Sequence, residues 1–272
     1  MSSEVFILAF PKLRISHVEA AQTISKTPHD ALFLMFSRNL EEPVKILAEG
    51  FPYDYVINEI KKQRLIPEPF GAWEYFAEPI LKILSKIKQK NPKLNIYCYG
   101  SPIYENLSTE TATKIATLTL KALATGKINV KEWKKVLLEE IKFSLDATEE
   151  EAEFVLSIVK NYKKSLCVSG LQGKNLEEKI RLEKNMNVKL EYLGVPYYLT
   201  PLEALKKELL NELEGKPSSD EKMEKLIKYH LRYIKKYILL SKSLDDAYFR
   251  WVVEEAKNLE NIVGKQQIVF TG

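Results

Sequence analysis

The sequence predicts an α/β protein built on a mostly parallel sheet covered by helices. Two observations predict it. Val5–Phe10, Ala31–Phe36 and Asn95–Gly100 are short, nearly continuous apolar runs, each closed by a breaker or a polar residue, as in strands buried on both faces. Stretches with helical periodicity separate them, and strand–helix–strand order implies parallel pairing through crossover connections. Helical pattern also clearly outweighs strand pattern along the chain.

The elements follow in order. Val5–Phe10 ends at Pro11, and Ser16 with Glu19 three residues later forms a capping-box pattern that predicts a helix over 16–25. Thr27-Pro-His-Asp30 interrupts it before the second apolar run. Between Leu40 and Arg64 the pattern is helical but broken at Pro43 and at Gly50-Phe-Pro-Tyr53, which predicts two short helices. After the proline-rich loop Ile66–Gly71, residues Phe76, Ile80, Leu81, Leu84 and Ile87 predict one long amphipathic helix over 73–90. Pro92 ends it ahead of the third strand, which Gly100 and Pro102 close.

From Ser108 to Lys164 strand signals almost vanish, and helices are predicted over 109–125, 130–145 and 148–162, the last capped by Thr148 and Glu151. Leu166–Gly170 reads as a fourth strand and Val188–Gly194 as a half-exposed one. Thr200-Pro-Leu-Glu203 combines a cap, a first-turn proline and a box glutamate, a strong helix start. A further helix is predicted from Ser218, with Glu221 closing its box and a break near Ser243, and Gln267–Phe270 as a last strand completing the sheet. The division that follows is an N-terminal α/β half (1–107), a helical insertion (108–165) and a C-terminal α/β half (166–272). A chain that stops at Gly272, directly after a strand, suggests a piece of a longer architecture, because open α/β sheets hold ligands just beyond strand ends.

Composition narrows the class. With 272 residues, 45% of them hydrophobic and 29% charged, the chain has the makings of a large core. A net charge of +4 left between 41 basic and 37 acidic residues is too small to imply nucleic acid by itself. Abundant Lys and Glu with few Gln and little Arg suggest a thermophilic source. Cys98 and Cys167 each lie inside an apolar run, without zinc-ligand spacing. Together with the lack of a basic leader or an 18-residue apolar span, they point to a soluble, cytoplasmic protein without membrane partners.

Candidate chemistry concentrates at four places. His17 and Glu19 follow the first strand, where α/β proteins commonly put functional groups, and a histidine there suits a general base or a metal ligand. Glu74 and Glu78 share a helix face and could divide acid and base roles or hold a divalent metal, although no motif specifies one. Ser169–Asn175 carries glycines ahead of a helix, but its spacing is not that of a Walker loop. Lys228, Tyr229, Arg232, Tyr233 and Lys236 interleave basic and aromatic residues, as on a surface that stacks bases or holds a protein partner, with Leu231, Ile234 and Ile238 on the opposite side. Two functions are therefore open: a hydrolase-like enzyme at the strand ends, and a non-catalytic interaction protein using the Lys/Tyr surface, with a homo-oligomer also compatible.

Several of these parts, taken in order, resemble the TraB/ChaN/erythromycin-esterase superfamily. They are a strand leading to a His-bearing helix start (Phe10 to Glu19), a second apolar strand, Pro69-Phe-Gly-Ala-Trp-Glu before a long helix, and a strand ending at Pro102. The closing Ile268-Val-Phe-Thr-Gly272 is similar to the strand that precedes a further histidine in that group. The resemblance implies an α/β fold and metal-dependent hydrolysis or ester cleavage by histidines and acids, with His17 at the first histidine position. Met35-Phe-Ser37 stands where the family commonly carries an acid, and the terminal histidine is absent, which implies a divergent member that has lost activity.

Overall fold

The computed structural model describes residues 3–263 and 267–268, with side chains up to Leu259. In chain order the elements are β1 (Ser3–Ala9), α1 (Arg14–Lys26), β2 (Ala31–Ser37), α2 (Glu41–Ala48), α3 (Tyr53–Lys62), α4 (Phe70–Leu81), α5 (Leu84–Lys90), β3 (Asn95–Gly100) and α6 (Pro102–Thr125). There follow α7 (Val130–Val159), β4 (Lys164–Ser169), α8 (Gly173–Arg181), β5 (Met186–Tyr192), β6 (Tyr197–Tyr198), α9 (Pro201–Leu213), α10 (Asp220–Lys236), α11 (Leu244–Glu254), α12 (Ala256–Val263) and β7 (Gln267–Ile268). Contacts group them into two compact units, one of residues 1–106 with 146–195 and one of 107–145 with 196–271. These boundaries differ from the three consecutive segments expected from the sequence.

The first unit is an α/β layer structure. Its five strands are all parallel, in the order β3-β2-β4-β1-β5. Strand side chains alternate, so Leu8, Leu32, Leu34, Ile96, Cys98, Leu166 and Val168 meet α1 to α5 on one face. Val5, Ile7, Ala31, Phe33, Tyr99, Cys167 and Val188 meet the end of α7 and α8 on the other. Both faces are apolar because both are covered, and each Leu, Ile or Phe removed from water adds roughly 1.5–3 kcal/mol. Connections leaving β1 and β2 lie on the first face and those leaving β3 and β4 on the second. Across the sheet, therefore, neighbouring strands send their loops to opposite sides, the arrangement that opens crevices at the carboxyl edge.

Local departures from the sequence reading have physical causes. Helix α1 starts at Arg14, not Ser16, because a tight turn in which Leu13 N–H donates to the Pro11 carbonyl (2.7 Å) brings the chain early into the helix. Ser16 is thus a buried helical residue rather than a cap. The long helix expected over 73–90 is α4 and α5. Pro79 lies inside α4 and lacks the N–H that would bond the Tyr75 carbonyl, which accepts from the Arg14 guanidinium instead. Nothing between Leu145 and Thr148 breaks a helix, and the two predicted helices there are the single α7. The cap of α10 is Ser219, one residue beyond Ser218, whose hydroxyl donates to Glu208. Finally, β7 pairs antiparallel with β6 in a separate two-stranded sheet, so it does not complete the main one, and Val269 and Phe270 lie outside the described residues.

The second unit is mostly helical. The Thr200 capping box forms as its pattern predicts, with Thr200 N–H donating to Glu203 at 2.8 Å and Glu203 N–H to the Thr200 hydroxyl at 3.4 Å. Helix α10 buries Met223, Leu226, Ile227, His230 and Tyr233. Trp133 meets His230 edge-on, and Trp251 meets Tyr233 likewise. Among the described residues no helix is long and apolar enough to cross a membrane.

Candidate functional site at the carboxyl edge of the sheet

The first unit brings polar groups together where β1, β2 and β3 end. β2 leaves its regular register with β3 between Leu34 and Ser37, and Gly100 fits against this irregularity because a Cβ there would stand 2.8 Å from the Phe36 carbonyl oxygen. The close approach delivers Ser37 and Ser101, both buried, to the edge. Ser101 caps α6 by accepting the Tyr104 N–H (3.4 Å), while its own N–H donates to Glu151 of α7 at 2.8 Å. Glu105, in the first turn of α6, lies near Ser37, whose buried hydroxyl has no hydrogen-bond partner among the described residues, and in the field of Lys12 from the β1–α1 loop.

The electrostatics of the two carboxyls are unusual. Burial pushes the Glu105 pKa above the ordinary glutamate range, and the Ser37 hydroxyl and Lys12 ammonium offset only part of that. Burial also raises that of Glu151, opposed by the Ser101 amide and Arg38 and reinforced by the neighbouring Glu150. Arg38 pairs with Glu150 and lies over the Phe154 ring. On the β4 side the edge is closed by Met35, whose sulfur accepts the Gly170 N–H at 3.3 Å.

The residues singled out from the sequence are dispersed around this point. The His17 ring packs between Phe10 and Phe76, with Nδ1 2.8 Å from the Leu13 carbonyl. Lys12 lies over the same Phe76 ring, so His17 borders the site through an aromatic wall. Glu19 is exposed on α1. Glu78 is held by Arg14 and Lys82, which depress its pKa, and Glu74 pairs with Lys61 at 3.4 Å and accepts from Tyr53. The two carboxylates of α4 thus hold neighbouring helices together. Among the described residues no three His, Cys, Asp or Glu side chains gather as a metal site.

The basic and aromatic surface is also rearranged. Tyr233 is buried against Trp251, and Tyr229 is half-buried, because α10 turns its tyrosines and His230 inward while Leu231 and Ile234 stay at the rim. Lys228 pairs with Glu224, Arg232 with Glu255, and Lys236 with Glu254 and Glu255. What remains outside is mainly a set of paired charges, with Tyr229 half-exposed among them.

Sequence reasoning missed Glu105 and Glu151. Glu151 looked like a capping-box residue, and a reading centred on histidines passed over Glu105. The available signal was Gly100-Ser-Pro102, a strand end running directly into a helix, with Glu105 in its first turn. Comparison of the chain with family models, with curated proteins and with solved structures gives no match.

Proposed function

We propose that the carboxyl edge of the first unit's sheet is a hydrolase-like acid–base site in which Glu105 carries the proton. The observation that supports it most is a half-buried carboxyl, Glu105, at the start of α6 just beyond β3, with the buried Ser37 of β2 beside it and positive field from Lys12 of the β1–α1 loop. A carboxyl group whose burial raises its pKa holds its proton to higher pH than an ordinary glutamate, and can give that proton to a departing oxygen and then take one from water. The buried Ser37 hydroxyl, otherwise without a partner, is available to orient the Glu105 carboxyl, and Lys12 supplies positive charge for oxygen that becomes negative during bond cleavage. Glu151 holds the Ser101 turn from which Glu105 projects, and so acts as a positioning residue. His17 supports the Lys12 loop through Phe76. The family resemblance agrees on the place, the strand ends, while this reading moves the chemistry from His17 to Glu105.

A panel of p-nitrophenyl esters, phosphates and glycosides tests the reading. Glu105→Gln is expected to lower kcat/KM on the accepted class by about 100-fold or more, a typical loss for a general acid–base group. It should also remove one limb of the pH–rate profile. Equal activity in wild type, Glu105→Gln and Ser37→Ala, at unchanged folding, would sink it.

A further inference from the structure

We infer that β5 is a pairing edge for a second copy of this chain, joined antiparallel about a two-fold axis at Leu190. The two outer strands of the sheet are treated differently. On the outer side of β3, the Cys98 N–H is already taken by the Glu41 carboxylate at 3.2 Å. On β5, Asn185 accepts from Ser3 and Leu193 donates to Ala9, so the odd-numbered residues turn their backbone groups toward β1. Strand alternation then turns those of Val188 and Leu190 outward, away from the sheet.

The charges select both occupant and register. Lys189 and Glu191 project from one face of β5, ion-paired at 3.0 Å and both partly exposed. In an antiparallel pair of identical strands, residues facing each other across the axis have numbers with a fixed sum. Centring on Leu190 sets Lys189 opposite Glu191 of the second copy and Glu191 opposite its Lys189. The outward groups of Leu190 then bond their own counterparts. Centring on Lys189 or on Glu191 sets like charges face to face, which destabilises strand pairing, and centring on Val188 leaves Lys189 opposite Asn187. The complementary register also has the backbone parity that permits hydrogen bonds at its centre, which the registers centred on Lys189 and Glu191 lack. Joined this way, two five-stranded sheets become one sheet of ten strands. This surface is independent of the acid–base site, because Lys12, Ser37 and Glu105 lie at or after the ends of β1, β2 and β3, not on β5.

Sedimentation equilibrium on the full chain tests it, with circular dichroism as a control for folding. Wild type is expected at twice the chain mass. Lys189→Glu, which places four carboxylates around the axis, should weaken association at least tenfold. The exchanged pair Lys189→Glu with Glu191→Lys should restore it, since the complementarity is only inverted. A wild type that stays monomeric up to about 1 mM overturns the inference, as does a Lys189→Glu variant that associates as tightly as wild type. Failure of the exchanged pair to recover association, although folded, also counts against it, because charge would then not set the register.

Discussion

Ser101 donates its backbone N–H to the Glu151 carboxylate at 2.8 Å, tying the end of β3 to α7 one turn before Glu105. Burial disfavours the charge of both Glu105 and Glu151, and Ser37 with Lys12 for the first and the Ser101 amide with Arg38 for the second offset only part of it.

The pH dependence of Glu105 has a definite sign. A raised folded pKa means that the unfolded chain, titrating near 4.3, loses its proton first as pH rises. The fold is therefore penalised increasingly from that pH up to the folded pKa, and by a constant amount above it. Glu105→Gln carries no such penalty, so it should be more stable than wild type at pH 7 and should lose this advantage at pH 3. Urea midpoints at the two pH values check it, and an advantage that grows on acidification would contradict the burial of this carboxyl. Together with the predicted loss of turnover, the variant would show a site that costs stability.

Gly194 and Ser16 form a second tight relationship. Gly194 has φ of +66°, and a Cβ on it would run into the Ser16 hydroxyl and stand 3.3 Å from Pro11 Cδ. Gly194→Ala combines a left-handed backbone with a clash and should cost about 1–3 kcal/mol. The Ser16 hydroxyl is buried and has no hydrogen-bond partner among the described residues. Ser16→Ala alone should thus be neutral or stabilising, by up to about 1 kcal/mol, and should recover part of the Gly194→Ala loss. Cys98 and Cys167, both fully buried in the same unit, provide the readout, because a thiol reagent reaches them only when the sheet opens. Simple additivity of the two substitutions would argue against the contact.

His230 should govern the acid response of the helical unit. Burial lowers its pKa to about 4, with Nε2 3.3 Å from the Thr119 hydroxyl and Trp133 packed on its edge. The unfolded chain takes up a proton near 6.5 and the folded chain only near 4, so stability is lost as pH falls through that window, by about 3 kcal/mol in total. His230→Leu should flatten this limb while losing about 1 kcal/mol at every pH from the unpaired Thr119 hydroxyl. Denaturation curves of both proteins between pH 7 and pH 4 decide it; parallel curves would exclude His230 as the group responsible.

The parallel sheet was legible in the sequence because a strand covered on both faces must be apolar throughout, and Val5–Phe10, Ala31–Phe36 and Asn95–Gly100 are. Caps were legible where a polar side chain has one local job, as at Thr200. They were misread at Ser16 and Ser218, where a turn or a distant carboxylate claims the residue instead. The site was the least legible part. Glu105 becomes notable only when three loops far apart in sequence meet, and no local pattern carries that information. The carboxylates with the clearest helical spacing, Glu74 and Glu78, are engaged in holding helices together.

The same distinction between spacing and burial separates Tyr233 from the charges beside it. Tyr233 is 8% exposed, with its ring edge-on to Trp251 and 6.0 Å from Tyr237. Tyr233→Ala therefore opens a cavity in the second unit and should cost about 3 kcal/mol or more, as aromatic truncations in a core do. Lys228 is exposed and paired with Glu224 one turn away, an arrangement that contributes only about 0.3–0.5 kcal/mol. Lys228→Ala should leave the melting temperature nearly unchanged. A stacking surface for nucleic acid would give the opposite pattern, with a stable Tyr233→Ala variant and salt-dependent retention that falls when either residue is removed. Thermal melts of the two variants, with retention on immobilised single-stranded DNA, separate the cases: a large stability loss for Tyr233→Ala alone marks α10 as a core helix of its unit.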